Sequence, residues 1–108
     1  MTDTVVVTRT GSVLEIRLNR PEKKNALTRA MYDTVTEALE SVESDPSLRV
    51  AVLTGTGDTF TAGNDIKDFQ ARAAGGGEGA GSRFLPTLSS MQKPLIAAVN
   101  GPAIGVGT

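Results

Sequence analysis

Two apolar runs in this chain are too short to be helices, and each passes at once into glycine and alanine. Arg49-Val50-Ala51-Val52-Leu53-Thr54 leads into Gly55-Thr56-Gly57-Asp58 and then Phe60-Thr61-Ala62-Gly63-Asn64-Asp65-Ile66. Leu95-Ile96-Ala97-Ala98-Val99-Asn100 leads into Gly101-Pro102-Ala103-Ile104-Gly105-Val106-Gly107-Thr108. Uninterrupted β-rich runs of this length predict buried strands, and buried strands that hand over to helices belong to parallel sheets. This repeated junction restricts the chain to the α/β class.

The remaining segments agree with that class. Val5–Thr8 and Val13–Leu18 are β-rich, and Thr10-Gly11-Ser12 between them predicts an antiparallel hairpin. In the second run Leu14, Ile16 and Leu18 alternate against Val13, so one face is buried. Asn19–Asn25, with Pro21, leaves the sheet as a loop. Thr28 then caps a helix whose apolar positions Met31, Val35, Leu39 and Val42 step by four, four and three, thickened by Ala38. Asp45-Pro46 ends it, because proline disfavours helix in the residue before it. Val50–Thr54 is expected to run parallel to Val13–Leu18 or its neighbour. The segment 73–82 holds five glycines and no large apolar residue, so it is expected to be a mobile loop within a single domain spanning 1–108. Ser82 is a cap for a second helix over Arg83–Gln92, with Phe84, Leu88 and Met91 on one face and Pro86 in the first turn. The small-residue helix entry at Gly101–Thr108 leaves the last strand without a covering helix, so the chain is expected to be the N-terminal portion of a longer protein.

Composition narrows the chemistry. With 11 basic and 12 acidic residues the net charge is −1 and no basic run occurs, which argues against nucleic-acid binding. No apolar run approaches the roughly 20 residues of a membrane span. Met1-Thr2-Asp3-Thr4 lacks the cationic start of a secretory signal. There is no cysteine and no histidine, which excludes thiolate catalysis, Ser-His-Asp machinery and the usual catalytic metal sites. A cytoplasmic location is expected. Chemistry must come from carboxylates, Lys, Tyr, hydroxyls or the backbone.

The backbone is the strongest candidate. N–H groups at a strand-to-helix junction point outward without partners and attract negative charge. That of Asn64 is the candidate donor in the first junction; the plainer reading of the same stretch is a turn with Asp65 as an N-cap. If the two strands are neighbours, donors from both junctions converge on one oxygen, an arrangement that stabilises an enolate or tetrahedral oxyanion. Nucleotide loops fail by comparison. Gly55-Thr56-Gly57 has Phe60 where a dinucleotide loop needs glycine, and Gly101–Thr108 has no lysine for a P-loop.

The segments Asn19-Arg20-Pro21-Glu22-Lys23-Lys24-Asn25-Ala26-Leu27, Phe60–Ile66 and Lys93–Gly105 stand in an order and at separations that resemble the enoyl-CoA hydratase/isomerase (crotonase) superfamily over essentially the whole chain. The resemblance implies ββα units wound into a spiral, of which this is the N-terminal part. It implies an acyl-CoA thioester substrate, no cofactor beyond the coenzyme A that the substrate carries, and a trimer or dimer of trimers for the full-length protein. It places the two oxyanion-hole donors at the main-chain N–H groups of Asn64 and Val106. Lys24, Ala26, Ala62 and Ile66 match positions that line the CoA nucleotide and pantetheine. Ala62-Gly63-Asn64-Asp65 and Asn100–Thr108 resemble Δ3,Δ2-enoyl-CoA isomerases more than hydratases. Hydratases of this pattern carry a catalytic Glu just after the glycine-rich segment, and isomerases place their base further along. The acid/base group is therefore expected outside residues 1–108. The alternative to an enzyme is a non-catalytic CoA-binding or interaction module.

Overall fold

A computed structural model describes residues 3–68, 70 and 83–108. The first two strands, β1 (Val5–Thr10) and β2 (Val13–Leu18), form an antiparallel hairpin in which Val5 faces Leu18 and Thr10 faces Val13. Its tight turn puts Gly11 at φ +61°, a left-handed conformation glycine adopts without strain. Leu14, Ile16 and Leu18 are buried, so the alternation along β2 marks the core face.

Helix α1 (Arg29–Ser44) begins where Thr28 Oγ1 accepts the Met31 N–H, and it stops at Asp45 before Pro46. Its buried stripe is Met31, Tyr32, Val35, Thr36, Ala38, Leu39 and Val42. Each fully buried Leu or Val there contributes about 1.5–3 kcal/mol over exposure, which outweighs the weak intrinsic preference of this Thr- and Ser-bearing helix. The chain returns as β3 (Val50–Gly55), parallel to β2, with Leu14 opposite Ala51 and Leu18 opposite Gly55. A short helix, α2 (Phe84–Ser90), packs Phe84 against the core. Last comes β4 (Leu95–Ala98), parallel to β3, giving the sheet order β1-β2-β3-β4.

Lys93 precedes β4 and ties it to the end of α1. Its Nζ donates to the carbonyls of Val42, Asp45 and Leu48 at 2.6, 2.8 and 2.7 Å. A cation there also meets the negative end of the α1 dipole.

Two expectations change. Leu95–Val99 is not buried: β4 is the outer strand, Leu95 is half-buried, and Ile96 and Val99 are 54% and 55% exposed. An apolar run reports that a strand should be covered, and among the described residues nothing packs on this one's outer side. The N-cap of α2 is Arg83, which makes no side-chain cap bond. Ser82 and the glycine-rich stretch 73–82 lie outside the described residues.

Candidate active site

The first junction begins at Gly55, where there is no room for a side chain. A Cβ would lie 2.7 Å from the carbonyl oxygens of Thr59 and Phe60. The loop that follows is folded back and pinned by two amides from distant segments. Asn25, fully buried, donates from Nδ2 to Thr56 O (3.0 Å) and Thr59 O (2.8 Å) and accepts the Arg20 N–H at 2.8 Å. Asn100 accepts the Gly55 N–H at 3.2 Å and donates to Gly57 O at 2.9 Å. Lys24 and Asn25 both adopt positive φ, 52° and 56°, so that the Asn25 side chain can turn inward.

From there the chain runs as a short central rail between two others. On one side Leu27 N–H donates to Gly63 O and Asp65 N–H to Leu27 O, both at 2.8 Å, while Ala62 N–H reaches Lys24 O at 3.0 Å. On the other, Phe60 N–H reaches Pro102 O at 3.0 Å and Ile104 N–H reaches Thr61 O at 3.1 Å. The two junctions therefore lie side by side, as parallel pairing of β3 and β4 requires. They touch at glycines: a Cβ on Gly63 would sit 3.1 Å from Ile104 O and 3.9 Å from Gly105 Cα.

Peptide planarity then fixes where the donors point. In a trans peptide the N–H lies opposite the C=O. Gly63 O faces Leu27, so the Asn64 N–H of the same peptide faces away from Leu27. Gly105 O accepts from Thr108 N–H at 3.0 Å, so the Val106 N–H points out of the start of the 3-10 turn Gly105–Gly107. Neither N–H meets a backbone or side-chain acceptor among the described residues. The left-handed angle in this turn falls on Gly105 (φ 62°) and not on Val106, so a β-branched residue is accommodated without strain.

The other site residues fall into two groups. Lys24 and Ala62 line one open hollow of about 330 Å³ with Asp58 and Ile104. Lys24 Nζ lies 3.5 Å from Asp58, both exposed, and the Thr59 hydroxyl and then Lys24 lower the Asp58 pKa. Ala26 is half-buried and its carbonyl accepts from Arg20 at 3.1 Å. Ile66 is 71% exposed at the first residue of the following helix and does not line that hollow. Asp65 is a cap: its Oδ1 accepts the Asp68 N–H at 2.8 Å, and its Oδ2 is 2.7 Å from Arg20. The Asp68 N–H first, then Arg20, holds its pKa below the ordinary carboxylate range, so it does not serve as a proton donor near neutral pH. Val106 itself lines an apolar cavity of about 140 Å³ with Leu27, Tyr32, Phe60, Phe84 and Leu88 among others.

Main-chain N–H groups left outward at such junctions can stabilise negative charge on an oxygen. The region 8–108 matches the family model described as Enoyl-CoA hydratase/isomerase. The chain belongs to the enoyl-CoA hydratase/isomerase family. Enoyl-CoA delta isomerase 2 of Rattus norvegicus is 39% identical over 109 residues, covering 94% of this chain and 27% of the relative. Carnitinyl-CoA dehydratase of Salmonella arizonae is 42% identical over 115 residues, covering 99% of this chain and 42% of the relative. Pseudomonas aeruginosa OdaA superposes with a TM-score of 0.89 at 44% identity, over 98% of this chain and 43% of that one. The chain thus spans between about a quarter and two fifths of the relatives' length, and its four-stranded sheet with helices is a partial crotonase fold.

Sequence reasoning missed Tyr32, Arg20 and the two pinning asparagines. Tyr32 carried a faint signal, a polar-tipped ring on the apolar stripe of α1. Arg20, Asn25 and Asn100 stood in the family-like segments without a role attached.

Proposed function

We propose that this chain is the thioester-binding part of an enoyl-CoA isomerase or hydratase, with the N–H groups of Asn64 and Val106 as its oxyanion hole. The observation that carries the proposal is the adjacency of two junctions whose outward N–H groups have no acceptor among the described residues. Lys24 and Ala62 border the hollow that takes the CoA end, where a lysine ammonium suits a phosphate. In the isomerase reaction a base removes a C2 proton from a 3-enoyl thioester, giving a dienolate whose oxygen the two N–H groups bind. Return of a proton at C4 leaves the double bond between C2 and C3. In the hydratase reaction water oxygen adds at C3 and a proton at C2, through the same enolate. Losing one oxyanion donor costs about 3–4 kcal/mol in known sites.

The proton-transferring carboxylate is assigned to the rest of the protein. At the junction the carboxylates of Asp65 and Asp68 are engaged by Arg20 and Arg29. That same observation favours, for residues 1–108 alone, the second reading of a non-catalytic CoA-binding module. The test is turnover of 3-enoyl-CoA and 2-enoyl-CoA by the full-length protein and by residues 1–108. Turnover by the full-length protein alone is expected. Measurable turnover by the shorter chain overturns the assignment of the acid/base, and failure of both to bind acyl-CoA overturns the thioester reading.

A further inference from the structure

Asn64 supplies a main-chain donor, and its own carboxamide is the nearest competitor for it. A short Asn side chain at a loop-to-helix junction readily folds back on neighbouring N–H groups, with Oδ1 standing where an external oxygen would bind. Here that oxygen is already engaged, because the Tyr32 hydroxyl on α1 donates to Asn64 Oδ1. We propose that Tyr32 is a positioning residue: its hydroxyl parks the Asn64 carboxamide against α1 and keeps the Asn64 N–H open to a ligand oxygen. The inference rests on the thioester reading above.

Tyr32 is suited to the task in three ways. Its ring is 6% exposed and meets Phe84 at 5.1 Å between centroids, tilted by 58°, so the hydroxyl is held in place by packing on both helices. Burial raises its pKa, so the phenol remains a donor throughout the physiological range. It also lines the same apolar cavity as Val106, which puts its ring and the second donor around one space. Asn64 is exposed, so neighbouring packing does not fix its side chain. Its backbone is fixed independently by the two Leu27 hydrogen bonds, so freeing the carboxamide leaves the N–H in place and covers it.

The test is infrared difference spectroscopy of a saturated acyl-CoA, isotope-labelled at the thioester carbonyl, bound to the full-length protein. Hydrogen bonding lowers the carbonyl stretch. The wild type should lower it, and Tyr32→Phe should lose roughly half of that lowering, one donor of two, with little change in melting temperature. The double variant Tyr32→Phe/Asn64→Ala should regain the lowering, because no carboxamide remains to cover the N–H. A Tyr32→Phe spectrum equal to wild type overturns the proposal and leaves the thioester reading intact. A double variant without rescue, or a Tyr32→Phe that does not fold, assigns Tyr32 to the fold and overturns it too. A wild type that binds without lowering the stretch sinks the thioester reading itself.

Discussion

Thr61→Val is the sharpest probe of how the two junctions are held together. Thr61 is 2% exposed, and its hydroxyl donates to Asn25 O at 2.7 Å and accepts the Gly63 N–H at 3.1 Å. The fit is close, since a Cβ on Gly107 would come within 2.4 Å of Thr61 Cγ2. Valine keeps the shape and removes both bonds. The Asn25 carbonyl and Gly63 amide are then left without this partner in a buried site, at about 1–3 kcal/mol each. The methyl that replaces the hydroxyl returns roughly 1 kcal/mol. The net expected loss is about 3 kcal/mol, a large share of the 5–15 kcal/mol typical of a domain. Thr61→Ser is the control: it keeps the hydroxyl and deletes one buried methyl, for about 1 kcal/mol. Urea unfolding followed by circular dichroism, with slopes compared, measures both. Should Ser prove as costly as Val, the methyl and not the hydroxyl secures the junction, and the reasoning fails.

Further consequences follow from the same geometry. Asn25→Ala should cost about 3 kcal/mol or more, since three hydrogen bonds lose their buried partner; a loss under about 1 kcal/mol in the same urea assay contradicts the pinning role. Gly101→Ala should fail to fold or melt far lower, because its Cβ would lie 2.0 Å from the Asp58 carbonyl oxygen, whereas Gly11→Ala, with open space but φ +61°, should cost only about 1–2 kcal/mol. Asp45, Asp58 and Asp65 have pKa values lowered chiefly by hydrogen bonds from Ser47, Thr59 and the Asp68 N–H. Their stabilisation is therefore complete above the unfolded carboxylate pKa of about 4 and is lost as pH falls through the lower folded values. Melting temperature should drop between neutral pH and pH ~3, and less steeply for Asp65→Asn; an identical slope refutes the Asp65 contribution.

What can be read directly from this sequence is local. Alternation in β2, the stripe of α1, the Thr28 cap and the Asp65 cap each depend on neighbours within a few residues, and each is present. What escapes is set by partners far along the chain. Asn25 reaches Thr59 across 34 positions, and Tyr32 reaches Asn64 across 32. An isolated Asn carries no mark of such a contact, and Tyr32 only the faint one of a polar-tipped ring on an apolar stripe. The exposure of Ile96 and Val99 escapes for a related reason, since burial belongs to the whole assembly of elements and not to the strand. The adjacency of the two junctions is an intermediate case. Similar short apolar runs ending in glycine predict it, but only the Thr61–Ala103 pairing and the Gly63–Gly105 approach make it physical.

The most direct measurement is nuclear magnetic resonance of the Asn64 and Val106 amides in isotope-labelled full-length protein. Saturated acyl-CoA is compared with free CoA, which has the same nucleotide and pantetheine but no thioester carbonyl. The expected result is that both amide protons move downfield together with acyl-CoA and stay near their free positions with CoA. Binding of acyl-CoA with both amides unmoved would contradict the account.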